Sequence, residues 1–181
     1  MWPFNTKKKL TSDQFALVLI ELTNRRSGKF LEELRSFAES RWPDFNSDQT
    51  GISVRQVLIA YFWTASRFFG TDKKALDALH ERHFLACYNR GQTKEEKGRL
   101  GNAAQAELSE RYTVYYKAWP DMDPSRAKEY FSNVSFEMAQ SFFPSRKPVI
   151  DASLQVMIPL EIAGFIEQAK ELRKTVAITD S

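Results

Sequence analysis

The chain has 181 residues, of which 43% are hydrophobic and 27% charged. This is the mixture of one globular domain, and it excludes disordered, collagenous and disulfide-rich proteins. Lys7, Lys8 and Lys9 account for the whole net charge of +3, leaving 23 basic and 23 acidic residues beyond position 10, a balance that argues against a dedicated nucleic-acid-binding domain.

Seven Gly and seven Pro are few for this length, which favours long helices over many short strands. Residues 1–10 read as a flexible basic and aromatic tail, and 11–181 as a single all-α domain. Thr11-x-x-Gln14 is a capping box. It opens a helix over 11–24 with Phe15, Val18, Leu19 and Leu22 on one face. Gly28 starts a second helix to 41, with Phe30, Leu31, Leu34, Phe37 and Ala38 in phase, and Trp42-Pro43 ends it. The segment 52–69 is apolar nearly all round and reads as the central, most buried helix, closed by a left-handed Gly70.

Thr71 or Asp72 caps a helix to residue 90, and Gly91 closes it in the same left-handed way. Thr93-x-x-Glu96 is a second capping box, opening a long helix that carries Leu108, Tyr112, Tyr115 and Trp119. Asp123-Pro124 starts the next one, with Tyr130, Val134, Met138 and Phe142 as its stripe. In the last segment Pro159 removes a backbone donor. A short turn from 151 and a main helix from 159 follow, with an extended 151–158 as the alternative. The expected fold is an all-α, single-domain bundle of six or seven helices built from antiparallel helical hairpins, or else a short α-solenoid.

Both histidines and the only cysteine fall within eight residues: His80, His83 and Cys87. On a helix they share an arc of about 60°. Imidazole and thiolate suit zinc, and Asp77, one turn earlier, adds a carboxylate. The same residues lie on an apolar stripe beside Leu76 and Leu79, so a packed, hydrogen-bonded histidine is the competing reading. His80-Glu81-Arg82-His83 misses the metalloprotease spacing, in which the histidines are four apart. A di-iron site would need a second carboxylate-x-x-His copy. No glycine-rich phosphate loop is present, and Asp72 and Asp77 oppose a helix-turn-helix reading of Lys73 and Lys74.

Trp2 and Phe4 beside Lys7, Lys8 and Lys9 suit a weak peripheral membrane contact. Tyr116, Phe136 and Phe143 point away from the apolar stripes, so they are expected at an exposed interface. The unpaired Cys87 points to a reducing compartment. The apolar stretch 56–66 is too short to span a bilayer, and no export signal follows the basic start. The function expected is therefore a non-catalytic, cytoplasmic interaction module that binds a protein partner or a second copy of itself, touches a membrane surface through its tail and binds no nucleic acid. The alternative is a metal- or small-ligand-binding bundle using His80, His83 and Cys87, with zinc as the candidate ion.

Overall fold

A computed structural model describes residues 7–42, 45, 52–68, 72–121, 123–143 and 152–179. Among them the fold is all-α, with six helices and one short pair of strands. Strand β1 (Lys8–Leu10) leads into helix α1 (Ser12–Arg41), followed by α2 (Val54–Phe68), α3 (Lys73–Tyr88) and α4 (Lys94–Ala118). A 3-10 turn (Pro124–Arg126) enters α5 (Ala127–Phe142), and α6 (Ala152–Thr175) runs into strand β2 (Val176–Ile178).

Both capping boxes form. Thr11 accepts from the Gln14 backbone and Gln14 accepts from the Thr11 backbone, and Thr93 and Glu96 do the same for α4. The expected break at Gly28 does not occur. Leu22, Arg26, Phe30 and Leu34 stay in phase across it, and nothing crowds the glycine, so one 30-residue helix buries the stripe that two would have shared. Pro159 likewise lies inside α6 rather than at a helix start. The stripe of Leu154, Ile158, Ile162 and Phe165 continues through it, and that burial outweighs one missing hydrogen bond. The extended alternative is excluded for 152–158, which are helical.

Gly91 is not left-handed, and no described residue has a positive φ. It is buried instead, where a Cβ would meet Lys97 N at 2.5 Å. The proposed left-handed Gly70 lies outside the described residues. Asp72 precedes α3 but its side chain does not cap it; both carboxylate oxygens accept from Arg173, at 3.0 and 3.3 Å.

Helix α2 is the buried centre, with Val57, Ile59, Tyr61, Trp63 and Ala65 almost fully enclosed. α1 packs on α2 and α3, α3 on α4, α4 on α5 and α5 on α6, and α6 returns to α1 and α2. That return closes the bundle, which an open solenoid would not do. β1 and β2 pair in parallel, Lys8 opposite Val176 and Leu10 opposite Ile178, with Leu10 buried. The end of the expected tail is therefore built into the domain.

A second lock ties α1, α2 and α6. Arg26 donates to the Glu161 carboxylate from Nε at 2.8 Å and from Nη2 at 2.7 Å, and Tyr61 Oη donates to Oε1 at 2.5 Å. Gly164 lets the guanidinium in, since a Cβ there would sit 2.6 Å from Arg26 Nη2.

Candidate functional site

The stripe of α3 turns Leu76 and Leu79 into the core and leaves His80 and His83 half-buried at its edge, facing α4. A cleft of about 350 Å³ opens there, lined by His80, Glu81, His83 and Phe84 from α3 and by Ala104, Gln105 and Leu108 from α4. It runs into a wider groove along α4, where His80, Gln105 and Leu108 recur with Tyr112, Tyr116 and Lys117. The inner walls are mainly apolar. Gly101 on α4 faces Phe84, and a Cβ there would lie 2.7 Å from the ring.

His80, which lines both parts, is bonded to Tyr112 of the wider groove and to Ser66, which lines neither part. His80 Nε2 lies 2.8 Å from Tyr112 Oη and 3.3 Å from Ser66 Oγ, and the two oxygens are 3.3 Å apart. Burial raises the Tyr112 hydroxyl above its ordinary pKa, so it stays protonated and donates. Burial also lowers the His80 imidazole, against an opposing pull from the Asp77 carboxylate. His83 is lowered by burial and further by the Arg55 charge. Both rings are neutral near pH 7.

His83 stacks edge-on against Phe62 at 5.0 Å, and its Nε2 is buried without a hydrogen-bond partner among the described residues. Beneath it, Arg55 Nη1 donates to Glu107 at 2.7 Å, and Gln56 Nε2 donates to the other Glu107 oxygen. Gln56 Oε1 and Arg111 Nε are likewise buried without partners among the described residues. Each such group costs about 1–3 kcal/mol unless a ligand or water meets it.

The metal quartet is not assembled. Cys87 is buried and lines neither part of the cleft, and Asp77 is exposed. Among the described residues no three His, Cys, Asp or Glu side chains are placed to hold an ion. The donor set therefore does not fit zinc, which takes at least three protein ligands. His80 is a hydrogen-bonded histidine instead.

The aromatic trio divides. Tyr116 is 38% exposed, flanked by Trp63 and by the Arg67 guanidinium at 5.5 Å. Phe136 is half-buried in a shallow groove with Val114, Asn133 and Gln155. Phe143 is 1% exposed, packed edge-on to Trp42 at 5.0 Å, so it belongs to the core and not to an interface. Helix α5 ends one residue earlier, which frees Phe143 from the helical phase that pointed it outward. Lys7, Lys8 and Lys9 are exposed, while Trp2 and Phe4 lie outside the described residues. No helix among the described residues is long and apolar enough to cross a membrane.

Sequence reasoning found His80 and His83 but missed Ser66, Phe84 and Leu108 as their neighbours, and placed Tyr112 only on a core stripe. Comparison with protein-family models, with curated proteins and with solved structures finds no match to this chain.

Proposed function

We propose that the protein is a non-catalytic helical binding protein that holds a small, mainly apolar ligand in the cleft between α3 and α4. The observation that carries this reading is a mainly apolar cleft that carries His80, an imidazole held by hydrogen bonds to Tyr112 and Ser66. An apolar cavity of a few hundred Å³ with a few converging polar groups is the usual form of a small-molecule site. The volume of about 350 Å³ suits a ligand of one or two fused rings.

Leu108 lines both parts of the cleft, so Leu108→Trp fills it from α4. Calorimetric titration with naphthalene is expected to give a single site in the wild type and no binding in Leu108→Trp. Equal heats for the two proteins, or none for the wild type, would refute the reading.

A second reading, association with a partner or a second copy, is favoured by α6. Val156 and Leu160, one turn apart, are 58% and 68% exposed. Light scattering tests it: a mass that stays monomeric at high concentration removes self-association. The free, buried thiol of Cys87 supports a reducing, cytoplasmic setting.

A further inference from the structure

The two imidazoles of the cleft present themselves in the same way. His80 Nε2 is turned inward to Tyr112 and Ser66, and His83 Nε2 is buried beside Phe62. Nδ1 of each ring makes no hydrogen bond among the described residues, yet neither is a buried atom. Two ring nitrogens without a partner among the described residues are thus borne by residues that line the cleft. These residues are three apart on one helix, and their Cβ atoms are about 5–6 Å apart.

The network admits a tautomer in which His80 donates from Nδ1. If Tyr112 donates to His80 Nε2 and Ser66 donates to Tyr112 Oη, every hydrogen is used once and the His80 proton sits on Nδ1. His80 then offers an N–H to the cleft. His83 has no partner among the described residues to fix its tautomer, so its Nδ1 can donate or accept. Neither ring carries charge to attract an anion, and the Glu81 carboxylate of the same lining opposes one.

Resting on the reading of this cleft as a ligand site, we propose that its occupant is a neutral planar ring with oxygen atoms on two opposite edges, the chemistry shared by quinones and hydroquinones. Two oxygens across one six-membered ring span a distance of the order that separates side chains one helical turn apart. One oxygen accepts from His80 Nδ1–H, and the other meets His83 Nδ1. Phe84, Ala104 and Leu108 cover the faces of the ring. A metal ion held by these two nitrogens would lack a third protein ligand.

The test is calorimetric titration of the whole chain with three probes of one shape. They are a naphthoquinone methylated at both open positions of its quinone ring, so that Cys87 has no site to add to, the same compound kept reduced, and naphthalene. At least one oxygenated form is expected to bind about tenfold tighter than naphthalene, the worth of one well-made buried hydrogen bond. The tighter of the two identifies the favoured redox form. His83→Leu is expected to remove most of that preference. Naphthalene binding as tightly as both oxygenated forms overturns this inference and leaves the apolar-ligand reading standing. Absence of binding by all three overturns both. The wild-type comparison decides the matter even if His83→Leu does not fold.

Discussion

At the scale of single residues, the two histidines make the stability of the fold sensitive to mild acid. Burial holds both imidazoles below the ordinary value of 6.5. The unfolded chain therefore takes up these protons first, and stability rises with pH through this range. We predict full stability above about pH 7 and progressive loss as pH falls through about 6.5, before the carboxylates titrate. Thermal melting between about pH 8 and pH 5.5 checks this, and the double substitution His80→Phe and His83→Leu should flatten the curve. A wild-type curve already flat in that range contradicts it.

Glu161 is the other group with a cost in solvation. Burial pushes its carboxyl above the ordinary range, against the pull of the Tyr61 hydroxyl and of Arg26. The arrangement survives because three donors converge on it. Removing the Arg26 guanidinium leaves that carboxylate part-buried and unpaired, and Arg26→Ala should cost about 3 kcal/mol in urea denaturation. Nothing in the sequence marks Arg26 as more than a polar interruption of an apolar stripe. Its partner lies 135 positions away, and a pairing over that separation is a property of the fold.

At the scale of elements, glycines on different helices should respond oppositely to one change. Gly28 is exposed on α1 with nothing near its missing Cβ, so Gly28→Ala should gain about 1 kcal/mol from helix propensity. Gly164 faces Arg26 Nη2 at a distance no Cβ tolerates, so Gly164→Ala should displace the guanidinium and cost about 2 kcal/mol net. Equilibrium urea curves measure both, and a loss at position 28 or a gain at 164 would contradict the packing described. The same pair shows why helix ends are legible only in part. Capping boxes are local chemistry and were readable at Thr11 and Thr93. Gly28 and Pro159 are local signals of weakness, and they are overruled by apolar stripes that continue past them. Strands β1 and β2 carry no such signal, since three residues at opposite ends of the chain pair only once the bundle has brought them together.

At the scale of the whole molecule, the all-α class and the central burial of α2 were legible because periodicity and the shortage of turn residues are summed over many positions. The candidate site was half legible. His80 and His83 stood out by chemistry, and α3 alone placed them on one face. What α3 faces is decided by packing: α4 supplies Tyr112 and Leu108, and α2 supplies Ser66 from its last turn. Phe143 and Cys87 failed as site residues for a related reason, because a helix end and a neighbouring helix decide which side chains reach the surface.

The cleft as a ligand site is the central claim, and the most direct measurement is a nitrogen–proton correlation spectrum of the chain titrated with naphthalene. The account predicts saturable shifts confined to α3, α4 and the last turn of α2, centred on His80, Phe84, Leu108 and Tyr112. No shifts, or shifts that fall on α1 and α6 instead, would contradict it.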